Sequence, residues 1–467
     1  MEKTDFDLVV IGSGGAGLAA ASTAAELGKN VLLIEAADQL GGSTALSGGV
    51  FYAAGTSVQR AAGITDDPDA MYRYYMAVNS YRLNGAVIRK LCTEGAPTFE
   101  WLVSLGVKFP QEQLYAAGLD GVPRGHRAAG LGREIVDVLE GSLSGREGID
   151  IAKKSRVDGL DMSADGAVSG VSIGGESVTT MAVVIATGGF GNNREMLSQY
   201  FPSAAIYGDE SWYIGAPTCR GDGVRMGLAA GGNLAGFNTG GSILTSGFSK
   251  DFEPYLPGWF VFVSREGRRF ADETIDYSIS SNLVQDLPGG ECFAIFDEAA
   301  RQGARMTASE TKDQTKAYPH VSWTADRLAE MADAGKVFRA DTLEELADQV
   351  GINAPRLRTT IDTYNHDCDA GEDTQFGKSS DLLLPVRSSP IYAVWIRPSI
   401  VGATGAGLRI DSNARVLDVA DRPIKGLYAA GETVGSTHGD CYVGSGGMIA
   451  NAVTYGRIAA KHAATRD

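Results

Sequence analysis

Asp7-Leu-Val-Val-Ile-Gly-Ser-Gly-Gly-Ala-Gly-Leu18, continued by Asn30-Val-Leu-Leu-Ile-Glu35, decides how the chain is read. Leu8 to Ile11 is a short apolar run, suited to a strand buried on both faces, and it leads straight into Gly12-x-Gly14-x-x-Gly17. Gly12 permits a tight turn, Gly14 lets backbone approach a pyrophosphate, and Gly17 lets the following helix pack closely on the strand. Opening at Gly14 and Gly15, that helix offers unpaired N–H groups and a positive dipole end to phosphates. A second apolar strand ends on Glu35, placed to accept from both ribose hydroxyls and to repel a 2′-phosphate. A lone glycine cluster would mean little. Strand, glycines, helix, strand and acid at these offsets point to a bound dinucleotide.

With 467 residues the chain can bury a large core, and two domains are expected. Its 61 glycines are roughly twice the usual share of about 7%. They are scattered among apolar strands without repeats, which suggests close backbone approaches to a large ligand. A net charge of −16 argues against nucleic acid and anionic membrane as partners. The five cysteines, Cys92, Cys219, Cys292, Cys368 and Cys441, lie far apart with no C-x-x-C, so neither a disulfide framework nor a metal site is readable. The first strand begins almost at Met1, with no room for a signal peptide, and no apolar run approaches the ~20 residues of a membrane span. A cytoplasmic protein without an integral membrane segment is expected.

After Glu35 comes Gln39-Leu-Gly-Gly-Ser-Thr-Ala-Leu-Ser-Gly-Gly49, a loop whose N–H and hydroxyl groups suit a planar cofactor: Gly42, Ser43, Thr44, Ser47, Gly48 and Gly49. Helices are predicted over Pro68–Asn79, Ala86–Leu105 and Leu131–Leu143. Hairpin signals at Asp165-Gly166 and Gly174-Gly175 separate short strands, followed by the buried strand Ala182-Val-Val-Ile-Ala-Thr-Gly-Gly189. Asp222 lies near the N-cap of a short helix. From about Phe237 the composition becomes aromatic and turn-rich, then helical over Ala325–Ala334, Leu343–Val350 and Ala354–Asn365, with little βαβ rhythm. Near Pro390 glycine-rich strands return. Pro423-Ile-Lys-Gly-Leu-Tyr-Ala-Ala-Gly-Glu432 repeats the strand-then-acid texture, and a last helix is predicted from Gly447 to Ala464. Gly402-Ala-Thr-Gly-Ala-Gly407 imitates a phosphate loop, yet no helix follows it, which suits a wall over the cofactor better.

The fingerprint with Glu35, the Gly41-Gly-Ser-Thr loop, Ala186-Thr-Gly-Gly189 and Gly426-Leu-Tyr-Ala-Ala-Gly-Glu432 together resemble the fumarate reductase/3-ketosteroid dehydrogenase group of FAD enzymes. The resemblance spans nearly the whole chain. It implies an α/β fold: a discontinuous Rossmann-type FAD-binding domain (1–238 and 389–467) with an inserted α+β capping and catalytic domain (239–388). FAD, held non-covalently because no attachment signature is recognisable, would contact Gly12, Gly14, Gly15, Gly17, Glu35, the 42–49 loop, Thr187, Gly188, Asp222, Gly431, Glu432, Gly447 and Met448. Glu35 would hold the adenosine ribose and Glu432 a ribityl hydroxyl. The last helix would aim its positive end at the flavin's N1–C2=O edge.

Two branches divide on catalytic residues. The reductase branch carries an arginine four residues after a Gly-x-Arg-Phe-x-x-Glu block and another shortly after the His-Gly of the tail. Here the block is Gly267-Arg-Arg-Phe-Ala-Asp-Glu273, followed by Tyr277, and the tail is His438-Gly-Asp-Cys-Tyr-Val-Gly-Ser-Gly-Gly447, with Tyr442. Both replacements remove a cation that a buried dicarboxylate needs. Tyrosines at these places are similar to 3-ketosteroid Δ1-dehydrogenases. That likeness implies that Tyr442 (hydroxyl) and Gly446 (N–H) bind a ketone oxygen, Tyr277 takes the α-proton, and flavin N5 accepts the β-hydride. Tyr115 is a candidate assisting hydroxyl by loose position. Val443 and Ser445 stand where prolines are typical, and Val50 to Tyr75 looks closer to Δ4-dehydrogenases, so steroid and smaller cyclohexanone substrates both stay open. The alternative is a fumarate-type ene-reductase acting on an unsaturated acid or enone. For His438 a structural hydrogen bond near the cofactor is favoured, and His126 carries little weight. There is no second nicotinamide fingerprint, and the electron acceptor is left open.

Overall fold

The computed structural model describes residues 4–250, 252–253, 255–304, 321–439 and 441–465. It divides into two compact units: Met1–Pro202 with Gly215–Gly241 and Gly402–Asp467, and Ser203–Ile214 with Ser242–Val401.

The first unit begins with β1 (Leu8–Ile11), α1 (Gly15–Glu26) and β2 (Val31–Ile34), and every residue of the two strands is buried. α1 is built of small residues and starts from Gly14, which has no capping side chain. α2 (Gly42–Leu46) is a single turn where the sequence predicts only a loop. β3 (Val50–Tyr52) follows, then α3 (Pro68–Val78), whose Asp67 cap accepts from the Ala70 N–H at 2.8 Å. α4 (Gly85–Leu105) ends at Gly106 in the left-handed region, φ 115°. β4 (Leu114–Ala116) and β5 (Pro123–Arg127) pair antiparallel, and β5 also pairs with β3. Beyond α5 (Leu131–Leu143) and β6 (Ile149–Ala152), the two hairpin signals join β7 (Val157–Met162), β8 (Val168–Ile173) and β9 (Glu176–Thr179). β10 (Val183–Ile185) returns to the core, and α6 (Asp222–Ala229) precedes the second unit.

In the second unit β11 (Val261–Val263) leads to α7 (Tyr277–Gln285) and β12 (Cys292–Asp297). α8 (Ala325–Asp333), β13 (Val337–Ala340), α9 (Leu343–Val350) and α10 (Ala354–Ala370) follow, then β14 (Ile391–Thr404). β14 pairs antiparallel with β12 and β13, and β11 with β12. Alternate residues of these strands enter opposite cores, as a period of two requires. Phe260, Phe262, Ala294, Phe296 and Val394 pack on one face; Val261, Val263, Phe293, Ile295 and Ala393 pack on the other. Because β14 is bound to this sheet, the second unit runs to Val401, past the boundary at 388 that composition suggests.

The chain then re-enters the first unit as β15 (Arg415–Leu417), β16 (Pro423–Ala429) and α11 (Gly447–Ala464). Among the described residues the main sheet has the order β15-β16-β10-β1-β2-β6, parallel except where β15 meets β16. α11 lies against α1 so closely that a Cβ at Gly456 would stand 2.1 Å from Ala16 O. The carboxyl ends of β1, β2, β10 and β16 carry Gly12, Glu35, Ala186–Gly189 and Gly431–Glu432. In an open parallel sheet, ligands bind at that end. No helix among the described residues is long and apolar enough to cross a membrane.

Candidate active site

Sterics at the fingerprint are severe. Gly12 has φ 99°, and a Cβ at Gly17 would lie 1.8 Å from Gly12 O. Gly17→Ala must push α1 off β1, an overpacking cost of about 1–3 kcal/mol. That variant is expected to purify with at least about fivefold less bound dinucleotide, measured by releasing and quantifying the cofactor. Around the turn, Gly15 N–H donates to Thr44 Oγ1 (3.0 Å), and a Cβ at Gly42 would be 3.6 Å from Gly14 Cα. A Cβ at Gly14 would meet only Gly41 O, at 4.0 Å, and one at Gly48 would meet nothing within 4 Å. Ser43 Oγ accepts from Ala216 N–H (2.9 Å), and Ser47 Oγ donates to Thr44 O (2.7 Å). Gly49, by contrast, is packed: a Cβ there would lie 2.2 Å from the Leu131 carbonyl carbon.

Glu35 is more committed than the sequence suggests. Its carboxylate accepts from Ser13 N–H (3.0 Å), Ser13 Oγ–H (2.6 Å) and Ala37 N–H (2.8 Å). A carboxylate has about four acceptor sites, so two ribose hydroxyls fit only if Ser13's hydroxyl gives way. Ser13, an unassigned position inside the fingerprint, thus belongs to the site. Glu432 Oε1 likewise accepts from Thr404 N–H (2.8 Å) and Thr404 Oγ1–H (3.0 Å). Thr404 lies in the Gly402–Gly407 stretch, which therefore braces this acid. Thr187 Oγ1 lies 3.5 Å from Thr433 Oγ1 and accepts from Gly223 N–H (3.1 Å). A Cβ at Gly188 would stand 2.7 Å from Cys219 Sγ, and one at Gly431 would stand 3.0 Å from Ala16 Cβ. Asp222 follows Gly221, the true N-cap of α6, and its carboxylate is held by Arg225 (2.7 Å) and Arg156.

The tail loop engages its own donors. Tyr442 and Gly446 are expected to point two separate donors at one ligand oxygen. In the structure Tyr442 Oη instead accepts from Gly446 N–H (3.2 Å) and Met448 N–H (3.3 Å). The phenol oxygen has settled on the open end of α11, whose unpaired N–H groups and positive dipole attract an acceptor. Gly446, with φ 102°, allows this turn; a Cβ there would lie 2.8 Å from Val50 O. Ser445 N–H donates to Ala117 O (3.1 Å). Tyr74 Oη donates to Val443 O (2.7 Å) and accepts from Leu119 N–H (2.8 Å). Tyr52 Oη is 3.5 Å from Arg124 Nη1, and Arg124, 1% exposed, is paired with Asp66 (2.7 Å) and Asp120 (2.6 Å).

His438 opens the tail. Its Nε2 is buried with no hydrogen-bond partner among the described residues, and burial lowers its pKa to about 4. Tyr115 sits in β4 opposite Gly125 and is 7% exposed; it is the following Ala117 and Gly118 that touch the tail loop. His126 is structural: its Nε2 meets Thr56 Oγ1 (2.8 Å), its Nδ1 faces the Phe51 and Arg124 carbonyls, and burial lowers its pKa to about 4.

Tyr277 belongs to the second unit. It opens α7 behind the Asp276 cap, half-buried, with its ring edge-on to Tyr255 at 5.5 Å. The preceding block is spent on structure: Arg269 pairs with Glu273 (2.9 Å) and Asp373 (2.8 Å), and Lys378 with Glu273 (3.2 Å), all buried. Among the described residues no cluster of ligands could hold a metal ion.

The family model described as FAD binding domain matches residues 7–448. A probable fumarate reductase (Ifc3) of Shewanella frigidimarina is 31% identical over 98% of this chain and 74% of its own. The 4-oxocyclohexanecarboxylate 2-dehydrogenase of Sinomonas cyclohexanicum is 28% identical over 98% of this chain and 93% of its own. Among solved structures, the 3-ketosteroid-Δ4-(5α)-dehydrogenase of Rhodococcus jostii RHA1, in complex with 4-androstene-3,17-dione, superposes with a TM-score of 0.78 at 27% identity. That match covers 100% of this chain and 98% of the other. The site fits the cofactor that the family binds: Gly14 and Gly48 leave open backbone, α1 starts without a side-chain cap, and His438 keeps an orphaned buried nitrogen. By its fingerprint, its sheet and these matches, the chain belongs to the FAD binding domain family and is an FAD-dependent oxidoreductase.

Proposed function

We propose that the protein introduces a C=C bond beside the ketone of a cyclic substrate, a 3-ketosteroid or a smaller cyclohexanone. The observation that carries this reading is the tail loop: Tyr442 Oη rests on two N–H groups of the α11 end, 3.2 and 3.3 Å away. Arg124, the guanidinium beside the tyrosine cluster, is already matched by two carboxylates. A ketone's α-proton becomes acidic enough only when donors meet the developing enolate charge. Tyr442 and Gly446 N–H supply those donors once a carbonyl oxygen takes the place that Tyr442 Oη fills. Tyr277 receives the α-proton, an assignment that rests on its place four residues after Glu273. FAD, when bound, supplies the two-electron acceptor that takes the β-hydride, so loss of a proton and a hydride leaves the new double bond. Gly14 and the start of α1 would face its pyrophosphate, Glu35 and Ser13 its ribose, Glu432 its ribityl chain and the α11 end its pyrimidine edge.

A second reading, ene-reduction of an unsaturated acid or enone, is favoured by the 31% identity to the probable fumarate reductase. Anaerobic mixing of the FAD-loaded protein with 3-ketosteroids and substituted cyclohexanones separates the two. At least one ketone is expected to bleach the flavin, and product analysis locates the new bond. Reoxidation of the reduced protein by fumarate or urocanate, with no ketone active, would overturn the proposal.

A further inference from the structure

Behind the first turn of α11 stands a phenol that nothing so far has used. Tyr75, on the inner face of α3, is 0% exposed, and its hydroxyl has no hydrogen-bond partner among the described residues. It lies 3.3 Å from the point where a Cβ of Gly447 would stand, and Tyr442 Cε2 lies 3.5 Å from that same point. Gly447, having no side chain, leaves the space beside both of them open. Tyr52 meets the Tyr75 ring edge-on at 6.1 Å. The neighbouring phenols are placed differently, Tyr74 on Val443 O and Tyr52 beside Arg124. Burial holds the Tyr75 pKa well above its ordinary value, so this hydroxyl stays a proton-bearing donor.

A fully buried hydroxyl without a partner is costly and calls for a functional or structural reason. The ketone reading, on which this inference rests, supplies that state. With a carbonyl oxygen on Gly446 N–H, and the α11 end with Met448 N–H left to FAD, Tyr442 Oη loses both of its backbone donors. We propose that Tyr75 is a positioning residue for Tyr442, its hydroxyl donating to Tyr442 Oη in the carbonyl-bound state. A phenol that accepts a hydrogen bond is itself the stronger donor, so Tyr75 sharpens the bond from Tyr442 to the carbonyl oxygen.

The test uses FAD-loaded protein titrated with 4-chlorophenol and 4-nitrophenol, whose phenolate oxygens mimic an enolate, read by charge-transfer absorption with the flavin. Tyr75→Phe is expected to weaken phenol binding about two- to tenfold while leaving thermal stability unchanged or higher, since the hydroxyl has no partner to lose. A purely structural residue would do the opposite. The double variant with Tyr442→Phe is expected to bind no more weakly than Tyr442→Phe alone, because Tyr75 acts through Tyr442. Wild-type affinity in Tyr75→Phe, or additive losses, overturns the relay and leaves the ketone reading standing. Phenol binding untouched by Tyr442→Phe, or none in the wild type, overturns the carbonyl site itself and the relay with it.

Discussion

Tyr442→Phe is expected to slow ketone-dependent reduction of the bound flavin by about 10²–10³, measured by stopped-flow mixing under anaerobic conditions. The reasoning is differential. Enolate charge exists only on the way to the product, so a hydroxyl aimed at that oxygen acts on the transition state more than on the bound ketone. Ketone affinity is therefore expected to change far less than the reduction rate. The substitution also removes the acceptor from Gly446 and Met448 N–H, but water can reach a helix end that a ligand can reach. Flavin content and thermal midpoint should stay near wild type. A variant that reduces its flavin at the full rate would remove Tyr442 from the chemistry, whatever the fold.

Arg269→Ala is expected to be the most damaging substitution in the second unit, at about 3–5 kcal/mol. Arg269, its side chain 1% exposed, is the shared partner of two buried carboxylates, Glu273 and Asp373, whose side chains are both 0% exposed. Asp373 is held well below the usual carboxylate range by the Arg269 hydrogen bond and by backbone donors, against a desolvation cost that pushes the other way. Without the guanidinium, Lys378 is left beside Glu273, and Asp373 keeps only backbone donors. Urea unfolding followed by tryptophan fluorescence reads the loss, since Trp259 and Trp323 lie in this unit's core. Arg358→Ala is the control: its pair with Glu344 is about half exposed (47% and 53%) and worth about 0–1 kcal/mol. Equal losses in the two variants would show that the buried cluster is not the anchor described here.

The parallel core was legible because its signals are local. Leu8–Ile11, the three glycines and Val31–Ile34 each announce a strand, a turn or a close approach within a few residues. The same logic placed both hairpin turns and the last helix. It failed where periodicity gives out. α10 runs on to Ala370, five residues past Asn365, because the polar stretch His366 to Asp369 hides a buried Asp367 that accepts from Thr374 N–H (3.1 Å). At the site, the residue types were readable but their engagements were not. Ser13 on Glu35 and Thr404 on Glu432 are pairings made by the fold, and no spacing rule encodes them. Tyr75 reads as one more core residue on an amphipathic helix, because a missing hydrogen bond leaves no trace in sequence.

The main sheet also has a history in time. β6, β2, β1 and β10 are all in place by Ile185, whereas β16 and α11 come from residues 423–464. On a ribosome, the outer edge of β10 and the outer face of α1 stay uncovered until the whole second unit has been made. An unpaired apolar edge of that kind invites association with other chains. The cofactor unit closes last although it starts first, so a nascent chain stalled in between exposes an edge that the finished protein covers.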